Sequence, residues 1–198
     1  NTAGPNNPMT FQQDFNPMWV DMDVATSSTP TIVDLDGDGL QDVVYGEYQG
    51  NINFFKNIGT PFEPLFNNQP VFSKIGGIDT DVTPGSEGYS APVFVQTLDG
   101  LNLITGSVTG ELEAYSNVTA TEAPYTPISL TWGNIDVGSR SSPALADLDN
   151  DGILELVVGN KRGGLELYKT VLVDCEIPPV KTEEPTTLIL GVSPNPAS

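Results

Sequence analysis

The sequence contains no histidine, a single cysteine and few basic residues, and each shortage excludes a class of function. Without histidine, the chain can form neither Ser-His nor Cys-His nucleophile pairs, and it offers no imidazole ligand for zinc. Its one cysteine, Cys175, cannot form a disulfide within the chain or a thiolate metal site. We therefore expect that the chain is not an enzyme.

Positive charge is also scarce, because 7 basic residues face 26 acidic ones and the net charge is −19. A surface this negative repels nucleic acid and anionic membranes, whereas it suits cations. The sequence has no run of about 18 apolar residues that would span a membrane. Neither nucleic acid binding nor membrane insertion is expected.

Turn-forming residues are abundant, with 20 glycines and 17 prolines beside an apolar fraction of 38%. This profile is typical of a turn-rich β protein and is too apolar for a disordered chain. The sequence therefore predicts an all-β fold.

An internal repeat organises the chain. Residues 19–56 recur as residues 132–169 at a constant offset of 113, with Trp19 matching Trp132. A degenerate third copy lies between them and carries Asp81 and Val82 where the last copy has Asp136 and Val137. We expect the two tryptophans to pack between repeats rather than to bind a ligand.

Each copy reads as a series of strands. Apolar stretches at 31–33, 93–95 and 144–146 are followed by others at 43–45, 103–105 and 156–158, and then by alternating strands that start at a glycine. A fourth strand is expected near 70–72 and 128–130. Period-two alternation with glycine punctuation favours antiparallel meanders. Four strands in a unit of this length are typical of a β-propeller blade.

The predicted blades divide the chain. Residues 1–18 are expected to end a preceding blade, 19–73 and 132–170 to form blades with an acidic loop, and 74–131 to form a blade without one. Three blades are too few for a closed ring of about 4–8. We therefore expect them to be part of a larger propeller.

Acidic residues cluster between the first two strands of the outer copies. Positions 1, 3, 5 and 9 of each loop carry carboxylates, position 6 is glycine, and position 7 would contribute a main-chain carbonyl, the pattern of an oxygen cage for a hard cation. The predicted ligands are Asp34, Asp36, Asp38, Leu40 and Asp42 in one loop and Asp147, Asp149, Asp151, Ile153 and Glu155 in the other. An acidic turn is the simpler reading, but four carboxylates within nine residues would repel one another without a cation. Two calcium ions are predicted, and Asp99, alone in the shorter middle loop, should bind none.

The segments STPTIVDLDGDG, which starts at Ser28, and SPALADLDNDG, which starts at Ser142, resemble FG-GAP/VCBS repeats, the blades of integrin α heads and of many bacterial surface proteins. The resemblance covers residues 19–170. It implies structural calcium in the loops and a propeller face that binds a protein or a glycan. The middle copy departs from the pattern at its loop.

The tail, residues 171–198, is rich in proline and is predicted to be an extended linker. Its ending around Pro194, Asn195 and Pro196 resembles the start of the C-terminal sorting domain of type IX secretion cargo. This resemblance implies the type IX machinery as a partner and secretion to the outer surface of a Gram-negative bacterium.

Three functions remain open at this stage. The leading one is a secreted or surface-displayed calcium-binding module for a protein or glycan ligand. The second is an accessory propeller of a larger secreted polysaccharide-degrading enzyme, whose catalytic part would lie outside this chain, because the paired acids that glycosidase chemistry needs are assigned to calcium here. The third is a structural spacer.

Overall fold

A computed structural model describes residues 22–23, 26–173 and 193–194. Within these ranges the protein is built from strands and two short 3-10 turns, which confirms the predicted all-β class. The strands are β1 (Thr29–Val33), β2 (Asp42–Gly46), β3 (Ile52–Phe55), β4 (Ala91–Thr97), β5 (Gly100–Gly106), β6 (Leu112–Tyr115), β7 (Pro127–Ser129), β8 (Ser142–Ala146), β9 (Ile153–Gly159), β10 (Leu165–Val173) and β11 (Ser193–Pro194).

Within the described ranges, the strands form three antiparallel sheets, and these do not close into a barrel. Sheet 1 has the order β1-β2-β3, sheet 2 the order β4-β5-β6-β7, and sheet 3 the order β11-β10-β9-β8. In every sheet the first two strands pair along their length, so that Pro30, Pro92 and Pro143 face Tyr45, Thr105 and Val158. The three sheets therefore repeat one hairpin register.

Alternation along the strands gives each sheet two faces, and the sheets stack through them. Val44, Ile52 and Phe54 of sheet 1 form one buried cluster with Leu103 and Tyr115 of sheet 2. The opposite face of sheet 2 forms a second cluster with sheet 3, whose members include Ile104, Leu112, Leu156, Val158 and Tyr168. Sheet 2 is thus packed on both faces.

A 3-10 turn precedes sheets 2 and 3 and fills the space between neighbouring sheets. The turns are Ile75–Gly77 and Trp132–Asn134, and Ile75 and Trp132 are 0% and 2% exposed in the two inter-sheet clusters. Trp132 therefore packs between repeats, as predicted. Trp19 lies outside the described residues.

The match predicted for Asp81 and Val82 is wrong by two residues. Asp79 pairs with Asn51, as Asp136 pairs with Glu111 in the next repeat. The neighbouring amide of Thr80 then donates to the Gly50 carbonyl. Because these bridges join one sheet to the next, the equivalent of Asp136 in the middle copy is Asp79.

The fourth strands differ from sheet to sheet. Phe72 makes only an isolated bridge to Phe54 beside sheet 1, whereas β7 completes sheet 2 close to the predicted 128–130. In sheet 3 the fourth place belongs to Ser193–Pro194 of the tail, which pairs with Tyr168 and Lys169 of β10. β10 itself continues to Val173, past the expected end of the repeat at 170.

The remaining predictions about the ends of the chain fall outside the described residues. These are the preceding blade at 1–18, Cys175 and most of the proline-rich tail. Among the described residues, no helix is long and apolar enough to cross a membrane. The domain boundaries stay a prediction.

Candidate metal centres

Each acidic loop connects the first two strands of its sheet. Residues 34–41 join β1 to β2, and residues 147–152 join β8 to β9. Since both hairpins share one register, the last acidic residue takes the same position in each, at or near the start of the second strand. Asp42 opens β2, and Glu155 is the third residue of β9.

The first carboxylate organises the loop around itself. Asp34 accepts hydrogen bonds from the backbone amides of Gly37, Asp38 and Gly39, at 2.8, 3.1 and 2.9 Å. Asp147 does the same in the second loop, where the amides of Asp151 and Gly152 donate at 3.2 and 3.0 Å. These bonds fold the chain back on itself and hold the carboxylates on one side of the turn.

Two positions in each loop adopt a left-handed backbone. Gly39 and Gly152 have φ values of 87° and 84°, which a residue with a Cβ rarely adopts. Gly37 and its equivalent Asn150 also have positive φ, at 75° and 59°. Asparagine is among the few residues that tolerate this region, so the two loops keep one shape with different residues.

Three acidic side chains converge in each loop. Their ligand atoms lie within 4.8 Å of one another, and the clusters could hold metal ions. The members are Asp34, Asp36 and Asp42 in the first cluster and Asp147, Asp149 and Glu155 in the second. Six of the ten predicted ligands are thus brought together in two groups of three.

The innermost carboxylate of the first cluster is fully buried. Asp42 is 0% exposed, and its two oxygens accept the backbone amides of Leu35 at 3.1 Å and Asn57 at 2.8 Å. Burial raises the pKa of Asp42, although the two backbone hydrogen bonds oppose the rise, while Asp36 and Asp38 add repulsion. Its negative charge therefore lies in a site that disfavours it unless a cation is present.

The equivalent residue of the second cluster, Glu155, accepts fewer hydrogen bonds than Asp42. Glu155 is 4% exposed, and its Oε2 atom accepts the amide of Leu148 at 2.9 Å. Its Oε1 atom is buried and has no hydrogen-bond partner among the described residues. A buried carboxylate oxygen without a partner is costly. The acidic neighbours of Glu155 fit a cation there.

The other four predicted ligands lie outside the converging groups. Asp38 accepts the amide of Leu40 at 2.9 Å and pairs with Lys56 at 2.8 Å. The hydrogen bond from Lys56 is the main reason that the pKa of Asp38 is lowered. Asp151 similarly accepts the amide of Ile153 at 2.8 Å. Ligation by these two carboxylates, and by the carbonyls of Leu40 and Ile153, stays a prediction.

A lysine beside each loop was missed by the sequence reasoning. Lys56 contacts both Asp36 and Asp38, whereas Lys169 lies 3.4 Å from Asp149 alone. Each pKa is raised, chiefly by the hydrogen bond to an aspartate. The signal was present in the sequence, because the two lysines stand at the same offset of 113 residues as the carboxylates.

In sheet 2 the hairpin that corresponds to the acidic loops has a different structure. Its hairpin closes with two residues, Leu98 and Asp99, between β4 and β5. Asn102 takes the position of Asp42 and Glu155, and its amide donates to Thr97 Oγ1 at 3.0 Å. Both residues are about 5–6% exposed, so a neutral hydrogen-bonded pair replaces the buried carboxylate.

A scan against models of protein families, a search of curated proteins and a search of solved structures each found no match for this chain. The chemistry of the loops therefore follows from their own residues. Oxygen-only ligand sets suit hard cations such as calcium and magnesium, whereas zinc prefers nitrogen and sulfur.

Proposed function

We propose that this chain is a calcium-binding module of β-propeller type, with one calcium ion in each of the two acidic loops. The observation that carries this proposal is the buried Oε1 atom of Glu155, which lies in an acidic cluster and has no hydrogen-bond partner in the part of the chain that the structure describes. Asp42, Asp34 and their equivalents supply the other oxygens. Calcium is favoured over magnesium because it accepts irregular sets of six to eight oxygens, whereas magnesium demands octahedral geometry and keeps its waters.

The ions serve stability rather than catalysis in this proposal. Each cluster ties the tip of a hairpin to the start of its second strand, through residues such as Asp34 and Asp42. Calcium would neutralise mutual repulsion there and would hold the loop in its folded shape. The bound ions would change the formal charge of −19 to −15.

The location proposed is the cell surface or the extracellular medium. Only one of the three converging carboxylates in each cluster is buried, which suits weak sites. Extracellular calcium modules bind with dissociation constants of about 10⁻⁴–10⁻³ M, a range that is saturated only where calcium is millimolar. Secretion by the type IX route, through the tail around Pro194, belongs to the same proposal.

The role proposed for the module is binding of an extracellular protein or glycan. It is supported by the stack of three hairpins that share one register, because each hairpin presents a loop at the end of its first two strands. Blades of propellers are sheets of this kind arranged around an axis. A glycan array and a pull-down on the secreted protein would identify the ligand class.

Calorimetric titration with calcium tests the metal assignment. We expect two sites per chain, and the double variant Asp36→Ala, Asp149→Ala should lose most of the heat. Asp99→Ala is the matched control, since it removes one acidic residue from the hairpin of sheet 2 and should leave both sites intact. An unchanged titration in the double variant would refute the assignment.

A further inference from the structure

A buried serine joins each sheet to the one before it. Ser90 precedes β4, and its hydroxyl accepts the amide of Glu47 at 2.9 Å and donates to the carbonyl of Asn51 at 2.6 Å. Ser141 precedes β8 in the same way. Its hydroxyl accepts the amide of Ser107 at 2.9 Å and donates to the carbonyl of Glu111 at 2.6 Å. We call this residue the latch serine.

The latch requires a glycine on the sheet that receives it. A Cβ atom on Gly46 would lie 2.2 Å from the carbonyl oxygen of Ser90, and one on Gly106 would lie 1.9 Å from that of Ser141. Both distances are far below contact, so any side chain there would push the sheets apart. The glycine and the strand ends around it form a socket for the next latch.

Sheet 3 has the same socket, and no part of the described chain fills it. Gly159 corresponds to Gly46 and Gly106, yet the nearest atom to a Cβ at this position would be 3.7 Å away. The apolar positions beside it are uncovered as well. Leu165 and Leu167 are 76% and 41% exposed.

The residues equivalent to these two leucines in sheets 1 and 2 are covered by the next sheet. Their equivalents in sheet 2, Leu112 and Ala114, are 0% and 2% exposed beneath sheet 3. In sheet 1 the same positions, Ile52 and Phe54, are 0% and 1% exposed beneath sheet 2. The outer face of sheet 3 is therefore built to receive another sheet of the same kind.

Sheet 1 carries a latch serine that would fit the empty socket of sheet 3. Ser28 stands two residues before Pro30, as the other latch serines stand before Pro92 and Pro143, but it is exposed. The residue before each latch has a left-handed backbone, with φ values of 62°, 52° and 51° at Ser27, Tyr89 and Arg140. Sheet 1 thus presents a latch in the geometry used twice within the chain.

One exposed side chain of sheet 1 and one repeat in the sequence before it agree with this. Ile32 is 68% exposed, whereas its equivalent Phe94 packs into the cluster between sheets 1 and 2. Trp19 precedes Ser28 by nine residues, the same spacing that separates Trp132 from Ser141. The sequence before β1 therefore repeats the elements that join sheet 3 to sheet 2.

We propose that two copies of this chain associate head to tail, with Ser28 and the first sheet of one copy in the Gly159 socket of the other. The contact is heterologous, and two such contacts between two copies close a ring of six sheets. Six lies within the range of about 4–8 sheets that closed propellers use. The proposal goes beyond calcium binding and is independent of it.

Analytical ultracentrifugation of the whole chain at micromolar concentration, in 150 mM salt to screen the net charge, tests the proposal. We expect twice the mass of one chain. Gly159→Ala should give single chains without unfolding, because the added Cβ meets nothing closer than 3.7 Å within its own chain. Ile32→Glu should also give single chains, because it places a charge on the latch face, the face of sheet 1 that would pack on sheet 3 of the other copy.

Mixing the two variants distinguishes a head-to-tail contact from other forms of association. The Gly159→Ala chain keeps an intact latch face and the Ile32→Glu chain keeps an intact socket, so an equimolar mixture should form pairs through one contact. Leu98→Glu is the matched control, since Leu98 is 82% exposed on the hairpin of sheet 2. It should leave the association unchanged.

Three results would overturn the proposal. They are a single chain as the only species of the unaltered protein, an association that Gly159→Ala does not weaken, and a mixture of the two variants that stays unassociated. Thermal unfolding of each variant verifies folding. Gly106→Ala, at the socket already filled by Ser141, should lower the melting temperature where Gly159→Ala does not.

Discussion

Replacing Glu155 by glutamine should stabilise the protein without calcium and weaken its response to calcium. Without calcium, the substitution removes a buried charge whose Oε1 atom accepts no hydrogen bond from any residue that the structure describes. The new amide can donate to the carboxylates of Asp147 and Asp149, while its oxygen still accepts the amide of Leu148. An unsatisfied buried polar group costs about 1–3 kcal/mol, so we expect a gain of about 1 kcal/mol, or about 2–4 °C in melting temperature.

Calcium should reverse the order of the two proteins. At 1 mM calcium and a dissociation constant of about 10⁻⁴ M, linkage stabilises each intact site by about 1.4 kcal/mol. This corresponds to about 3–6 °C per site. The unaltered protein gains from both sites, whereas Glu155→Gln gains only from the first. The melting curves of the two proteins should therefore cross as calcium is added.

The corresponding variant of the first loop, Asp42→Asn, provides a contrast. Both oxygens of Asp42 already accept backbone amides, from Leu35 and Asn57. An asparagine would turn its NH₂ group towards one of these donors, so this variant should be less stable than the unaltered protein even in chelator. It should nevertheless lose one calcium site, as Glu155→Gln does.

Differential scanning fluorimetry in chelator and over a calcium series, together with calorimetric stoichiometry, measures both effects. The exposed Glu166→Gln is the control for a change of one charge and should alter neither. A lower melting temperature for Glu155→Gln in chelator would refute the reasoning from the unpaired oxygen. Two full calcium sites in that variant would refute its place in the second cluster.

Two further predictions concern the surrounding charges. Lys56→Met should raise the calcium affinity of the first loop more than Lys169→Met raises that of the second, because Lys56 contacts two loop aspartates and Lys169 only one; equal effects in calorimetry would contradict this. Burial raises the pKa of Glu113, so the folded protein holds the proton on this carboxyl more tightly than the unfolded chain does. The protonated carboxyl therefore contributes to the free energy of unfolding at low pH, and this contribution is lost as the pH rises through the raised pKa. Glu113→Gln keeps an acceptor for the Tyr115 hydroxyl, and it should therefore raise the melting temperature at pH 7, with the gain vanishing below pH 4.5. A gain in melting temperature that persists at pH 3.5 would contradict burial as the cause. Glu166→Gln, at the equivalent exposed position, is again the control.

The hairpins could be predicted from the sequence because their signals are local. Period-two alternation and the glycines that end and begin strands specify β2, β5 and β9 without reference to the rest of the fold. The joints between repeats could not be predicted in the same way. Ser90 lies fifteen positions after Ile75, whereas Ser141 lies nine positions after Trp132. The bridge to Asn51, rather than the local pattern, therefore selects Asp79 in the middle copy.

The candidate site was predictable as a set of acidic positions but not as a geometry. Spacing alone treats Asp38 like Asp34 and Asp36, yet its carboxylate caps the amide of Leu40 and pairs with Lys56. The direction of a loop side chain depends on hydrogen bonds that the loop makes with itself and with the next strand. The backbone amide of Asn57, which donates to Asp42 from fifteen residues further on, has no signature in the acidic loop motif.

The three copies of the hairpin show two physical solutions to one buried polar position. Sheet 2 uses Asn102 and Thr97, a neutral pair that satisfies itself and needs no ion. Sheets 1 and 3 use Asp42 and Glu155, whose buried negative charge is costly unless it is paired, and the cation that we propose for each cluster would supply that pairing. Sheet 2 is also the sheet that packs against a neighbouring sheet on both faces. Sheet 3 leaves Leu165 and Leu167 exposed on one face, whereas the outer face of sheet 1 is covered in part, around Phe55 and Phe66, and leaves Ile32 exposed. Packing against neighbouring sheets thus supports the central sheet on both sides, and we expect calcium and a neighbouring chain to add stability chiefly to the two outer sheets.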